Sequence, residues 1–408
     1  MSAERSLVVV GASVAGAKAA EGARAAGYDG RIVLVGDELE RPYERPPLSK
    51  DVLRGGKPPE TTRVHDEGFY DEHGIELLAA REVEALDPGA GQVRLDGGET
   101  LGFTTAVLAT GAAPRRLPLP GADLDGVHYL RTLADSRALG DAIRAGHRVA
   151  VIGAGWIGSE VAASAREMGA EVVLVDPEPL PLRRVLGDRV GEMFRSLHAD
   201  HGVDLRLGTG VIALQGAGRV ERVMLGDGRV VPADVVVIGV GVAPRVDLAV
   251  AAGLKVENGV VVDEHLESSA PGVYAAGDIA SAWNVRYDTH LRVEHWANAL
   301  NQGLTAGANA AGERGAYTRL PYFFSDQYDL GMEYVGYGRP DDHLVVRGSL
   351  EDCEAVVFWL RGGVVDAAMN VNVWDVVEDL KAIVAAGRAV DPARLADPEV
   401  PLAELAPS

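Results

Sequence analysis

The sequence predicts an α/β protein: two nested copies of one strand, turn, helix, strand module, followed by a C-terminal α+β domain. Three observations carry this. The pattern of Leu7–Glu38 returns at Arg148–Pro179, and each copy later ends in a similar segment, Gly111-Ala-Ala-Pro-Arg115 and Gly241-Val-Ala-Pro-Arg245. From about Tyr317 the apolar residues alternate at strand spacing before a helical stretch.

In the first copy the apolar run Leu7–Val10 feeds a small-residue turn, an alanine-rich helix and a second apolar run, Ile32–Val35. Gly11 and Gly16 stand where a Rossmann-type dinucleotide site needs glycines, one for a tight turn and one for close packing of helix on strand. Asp37 follows Gly11 by 26 positions, a suitable place for a carboxylate that receives ribose hydroxyls. A pyrophosphate would rest on the N-terminus of the helix, where unpaired N–H groups and the helix dipole attract it. Ser13 replaces the second glycine of the fingerprint and is small enough to be tolerated.

After Glu38 the chain is too proline-rich for a helix start before Leu48, and Pro46 and Pro47 stiffen the backbone that delivers Lys50. The spacing predicts strands over Gly74–Leu86 and Gln92–Leu95, then an apolar strand that ends in Ala109, Thr110 and Gly111. A helix begins near Thr132. The second copy is complete: Gly153, Gly155 and Gly158 form G-x-G-x-x-G after an apolar strand, Asp176 follows Gly153 by 23 residues, and the module ends at Gly241.

A short strand over Val273–Ala276 then closes on Gly277 and Asp278, where a carboxylate can accept hydrogen bonds from a polyol such as a ribityl chain. Residues Glu294–Ala311 read as a helix of small residues whose first turn, at His295 and Trp296, can offer amides to a flavin ring. These breaks divide the chain into a first nucleotide-binding domain (1–113 and 242–316), a second one inserted in it (114–241) and a C-terminal domain (317–408). In the last, strands are expected over Leu344–Val346, Ala355–Leu360 and Val364–Asn370, with a helix from about Trp374 to Ala386. Its aromatic residues suit a docking face and core packing equally.

Composition limits the chemistry. The 408 residues are 47% hydrophobic, without an apolar run of about 18 residues or a basic-then-apolar start, so a cytoplasmic protein with no membrane partner is expected. The single cysteine, Cys353, forms no intramolecular disulfide and leaves redox chemistry to a cofactor. A net charge of −21 argues against nucleic acid. Two nucleotide modules without a dithiol imply one dinucleotide held permanently and a second visiting, with a hydride passing to flavin N5 and electrons leaving singly.

The pieces RPYERPPLSK, GAGWIGSEVA, GVYAAGDIA, VEHWANALNQG and PYFFSDQYDLGMEYVG together resemble the oxygenase-coupled NADH-dependent ferredoxin reductases, the putidaredoxin reductase and biphenyl-dioxygenase reductase type. The resemblance spans essentially the whole chain. It implies a glutathione-reductase-like fold with bound FAD, NADH as co-substrate, and a two-iron, two-sulfur ferredoxin partner serving a cytochrome P450 or a ring-hydroxylating oxygenase. By position it implies FAD contacts from Ala15 and its neighbours, Asp37, Lys50, Val83, Arg131, Asp278 and Trp296. Contacts to NADH are implied for Gly155, Ile157, Asp176 and Arg184, and Lys50 is expected to meet Glu160 beside flavin N5. Phe324 departs from the family, where tryptophan is expected. Two rivals keep the same fold: an NADH oxidase or diaphorase working without a thiol, and an NADH-sensing flavoprotein of the apoptosis-inducing-factor kind that acts by binding partners.

Overall fold

In a computed structural model, which describes residues 5–406, the two copies fold to one plan. The chain divides into two units, the first comprising the chain up to Arg45, Glu60–Ala113 and Ala243–Pro321. Its five-stranded sheet runs Val273–Ala275, Thr105–Leu108, Ser6–Val10, Arg31–Val35, Ile75–Leu78, every neighbouring pair parallel. Because both faces of such a sheet are covered, its strands are nearly continuous apolar runs, and Leu7, Val8, Val9, Ile32, Val33 and Leu34 are wholly buried. The helix Val14–Ala25 packs on the helix Trp296–Ala311. A Cβ on Gly307 would lie 1.9 Å from the Ala19 carbonyl oxygen and one on Gly303 2.4 Å from that of Ala15, so the small residues of the later helix serve helix-to-helix approach.

The second unit comprises Pro46–Pro59, Pro114–Val242 and the chain from Tyr322 on. Its parallel sheet, Asp204–Leu207, Glu171–Asp176, Arg148–Ile152, Val235–Ile238, Val127–His128, again places the fingerprint strand at the centre. The repeat extends to a three-stranded antiparallel meander in each unit, starting at Val83–Asp87 and at Val211–Gln215 with a register shift after the first residue of both. Thr132 starts the helix Leu133–Ala145 with a capping box, its Oγ1 receiving the Asp135 N–H while the Asp135 carboxylate receives that of Thr132. The C-terminal segment is a five-stranded antiparallel sheet with a helix, Val377–Ala386. No helix among the described residues is long and apolar enough to cross a membrane.

Two expectations need correction. Gly74–Leu86 is two strands, Ile75–Leu78 in the parallel sheet and Val83–Asp87 in the meander, because the chain turns at Ala80 with φ of 53°. The helix expected from about Trp374 starts at Val377 instead, and Trp374 is 57% exposed in the preceding loop. Of the two equal readings of the C-terminal aromatic residues, core packing holds for Phe323, Tyr334 and Trp359, which are buried in one cluster with Met332, Val357 and Met369, whereas Tyr337 and Trp374 are exposed.

His198 is fully buried on the helix Asp188–Asp200, with Nδ1 3.1 Å from the Tyr328 hydroxyl, and burial pushes its pKa down to about 4. The folded protein therefore keeps it neutral while the unfolded chain protonates it near pH 6.5, so this stability is present above that pH and lost on acidification towards pH 4. Between pH 7 and pH 5 it should contribute a loss of about 2 kcal/mol. Urea unfolding of the protein and of His198→Phe at both pH values checks this, the variant being expected to show the smaller drop.

Candidate functional site

Both fingerprints are built alike. Gly11 and Gly153 take φ of 111° and 105°, a region closed to residues with a side chain, and a Cβ would also strike the carbonyl oxygens of Ala109 and Gly239 at 2.2 and 2.3 Å. Their N–H groups donate to Val35 and Val175 at the end of the adjoining strands. Gly16 and Gly158 sit where a Cβ would be 1.8 Å from the carbonyl oxygens of Gly11 and Gly153, so only glycine lets each helix meet its strand this closely. The middle position differs in kind. Gly155 has an ordinary φ of −81° and a Cβ there would meet no protein atom within 4 Å, so the space it leaves lies outside the protein, where a phosphate would rest. Ser13 caps the first helix in the same extended conformation, with φ of −117°, which a side chain adopts freely.

The first unit gathers Gly11, Ser13, Ala15, Gly16, Asp37, Val83, Ala109, Thr110, Gly111, Asp278, His295 and Trp296. Asp37 closes its strand and pairs with Arg245 at 2.7 Å. The Thr110 hydroxyl donates to the Arg245 carbonyl, and the Gly111 carbonyl accepts from the Arg245 N–H. In the second unit the Gly241 carbonyl accepts from Arg115 in the same way, so the two Ala-Pro-Arg endings do matching work. His295 is the N-cap residue of the helix Trp296–Ala311. Desolvation lowers its pKa to about 4 against the opposing charge of Asp278, so its imidazole is neutral at pH 7.

Lys50, Arg131, Gly153, Gly155, Ile157, Gly158, Glu160, Asp176, Arg184 and Gly241 belong to the second unit. The turn Pro46–Ser49 delivers Lys50 to the start of the short helix Asp51–Arg54, and its Nζ meets Glu160 at 3.2 Å. Both side chains are buried, 11% and 6% exposed. Glu160 also receives hydrogen bonds from the hydroxyls of Ser49 and, at 2.7 Å, of Ser325. Asp326 lies 3.8 Å from the ammonium, and the Phe324 ring centroid 5.1 Å from it. Such a cluster compensates two buried charges and holds a cation at a fixed place beside an aromatic face.

Ile157 is 45% exposed on the first turn of its helix, an uncovered apolar side chain next to the space left by Gly155. Asp176 accepts from the Ala154 N–H at 2.6 Å and the Glu178 N–H at 2.8 Å, which fixes its carboxylate against the glycine-rich loop. Arg184 pairs with Glu178 at 2.8 Å, and Arg131 starts the turn into the capped helix, its N–H donating to Asp135. Sequence reasoning missed Ser49, Ser325, Asp326 and Glu178. The first three lie within two positions of Lys50 or Phe324, which it had singled out, and only the fold brings them to one point.

Two fingerprint helices, a buried lysine–glutamate pair and no dithiol define a two-dinucleotide flavoprotein oxidoreductase. The comparisons with known proteins agree. Residues 5–303 match the pyridine nucleotide-disulphide oxidoreductase family model and residues 322–406 a reductase C-terminal model, and the chain belongs to the pyridine nucleotide-disulphide oxidoreductase family. It is 40% identical over 402 residues to the ferredoxin–NAD(+) reductase component of an anthranilate 1,2-dioxygenase system from Burkholderia cepacia, covering 97% of this chain and 98% of that one. Identity to putidaredoxin reductase of Pseudomonas putida is 38%, over 99% and 97% of the two chains. The reductase in a crystal structure of the covalent putidaredoxin reductase–putidaredoxin complex superposes with a TM-score of 0.95 at 37% identity, covering 98% of each chain. A ferredoxin reductase for the CYP199A2 system of Rhodopseudomonas palustris gives 0.95 at 35%, over 98% and 100%.

Proposed function

We infer that the chain is an FAD-dependent NADH:ferredoxin oxidoreductase, taking a hydride from NADH and passing single electrons to a two-iron, two-sulfur ferredoxin that serves a cytochrome P450 or a ring-hydroxylating oxygenase. The observation that carries this is the doubled fingerprint in a chain with one cysteine, because disulfide reductases of this family plan need a second thiol. FAD, when bound, accepts electrons in a pair and releases them singly. The protein's own residues bind, orient and compensate.

The division into an FAD-binding domain (1–113 and 242–316), an NAD-binding domain (114–241) and a C-terminal domain (317–408) is our reading of the repeat. In this reading Gly11, Ser13, Ala15 and Gly16 hold the FAD pyrophosphate, Asp37 its ribose, and Val83, Ala109, Thr110, Gly111, Arg131, Asp278, His295 and Trp296 the rest of the cofactor. Gly153, Gly155, Ile157, Gly158, Glu160, Asp176, Arg184 and Gly241 hold NADH. Lys50, paired with Glu160, adjoins flavin N5. We place the protein in the cytoplasm, where NADH is produced and where a lone reduced cysteine suits the redox poise.

An anaerobic titration with NADH should bleach the flavin, and cytochrome c reduction should then depend on added ferredoxin. Rapid bleaching without ferredoxin-dependent turnover favours the diaphorase reading instead. A second outcome concerns the nucleotide. The Asp176 carboxylate, held against the loop, is suited to a ribose 2′-hydroxyl and repels a 2′-phosphate. Steady-state kcat/KM should be higher for NADH than for NADPH, and the reverse order would remove Asp176 from this role.

A further inference from the structure

After the strand Glu171–Asp176, the short helix Arg183–Leu186 opens with two arginines of the kind that receive a 2′-phosphate in NADPH enzymes. Both are occupied. Glu178 accepts from Arg184 Nε at 2.8 Å with one oxygen and from Arg183 Nη1 at 3.2 Å with the other. Hydrogen bonds from Arg184 and then Arg183 hold the Glu178 carboxyl below its ordinary pKa. Arg183 has a second partner in Asp188 at 2.5 Å, so the two guanidinium groups are shared between two carboxylates, Glu178 and Asp188.

The arrangement is fixed to the nucleotide loop. The Leu182 N–H donates to the Ala154 carbonyl at 2.9 Å, and the Glu178 backbone is held at both ends, its N–H by Asp176 and its carbonyl by the Gly208 N–H. The arginines line a cleft of about 480 Å³ with Glu178, Asp188, Arg189 and Asp341. Arg184 is 75% exposed, and an ion pair so open to water adds little to folding, so its consequence falls on ligands instead.

We propose that Glu178 is a specificity-determining residue that disfavours 2′-phosphorylated nucleotides by occupying Arg184 and Arg183, withholding both of these guanidinium groups from the phosphate while adding a second negative charge beside Asp176. This rests on the reading that NADH binds at the second fingerprint. Removing the carboxylate releases Arg184, whose described ion pair is with Glu178 alone, whereas Arg183 keeps Asp188.

The test measures binding of adenosine 2′,5′-bisphosphate and of NADH to the holoprotein by calorimetry, in the parent, Glu178→Ala, Glu178→Gln and Glu178→Ala/Arg184→Ala. The bisphosphate should bind at least about tenfold more tightly to Glu178→Ala, with a gain that shrinks as salt is raised and vanishes in the double variant. The ratio of kcat/KM for NADPH over NADH should rise by a similar factor, about tenfold. Glu178→Gln, nearly isosteric, should move the same way and decides the matter if the alanine variant folds poorly. Unchanged bisphosphate affinity in a folded variant that still binds NADH overturns the proposal. A parent that binds no NADH overturns the function it rests on.

Discussion

Gly158→Val should lose NADH-driven flavin reduction by about a hundredfold or more while keeping its FAD, because a displacement of about 1 Å at a nucleotide loop already costs that much. A Cβ at this position would stand 1.8 Å from the Gly153 carbonyl oxygen, and the valine methyls reach further, so helix and loop must part by more than an ångström. The damage falls on the second fingerprint. Dithionite should still bleach the flavin, since the first fingerprint is untouched. Gly16→Val, with the same 1.8 Å clash against Gly11, should give the opposite result, a preparation that loses its yellow colour. Gly155→Ala separates ligand space from protein space: its Cβ meets nothing, so stability should hold within about 0.5 kcal/mol while NADH affinity falls. Absorbance spectra, thermal melts and stopped-flow reduction read all three. Parental reduction of Gly158→Val by NADH would refute the assignment.

These glycines also show why much of the fold was legible. The first glycine of each fingerprint is demanded by a positive φ and by a backbone oxygen where Cβ would be, the last by such an oxygen alone, and these constraints act over a short stretch of chain. The central strands declared themselves because burial on both faces forces continuous apolar runs. The second meander, Val211–Gln215, Arg222–Leu225 and Val230–Pro232, carried no comparable mark, being short and half-exposed. Ala80 shows the limit again: an alanine at φ of 53° gives no glycine signal, so a turn between two strands read as one. Ser49 and Ser325 were illegible as a pair because 276 positions of chain separate them, and only Glu160 makes them neighbours.

The Glu160 cluster should therefore respond asymmetrically to loss of either charge. Glu160→Leu leaves the Lys50 ammonium 11% exposed with Asp326 at 3.8 Å as its remaining carboxylate, and strips two serine hydroxyls of their acceptor. Removing one partner of a buried pair in this manner typically costs about 3–5 kcal/mol. Lys50→Met leaves Glu160 with both hydroxyl donors, so the loss should be smaller, about 1–3 kcal/mol. The double variant should recover part of the sum, because neither charge is then stranded. Urea unfolding of the four proteins measures the cycle, and strictly additive losses would show that the two charges do not depend on each other. Rates separate structure from chemistry. If the pair adjoins flavin N5, Lys50→Met and the near-isosteric Glu160→Gln should both slow anaerobic reduction by NADH at temperatures where they remain fully folded, through a lower limiting rate rather than weaker NADH binding. Folded variants reduced at the parental rate would leave the pair a purely structural clamp.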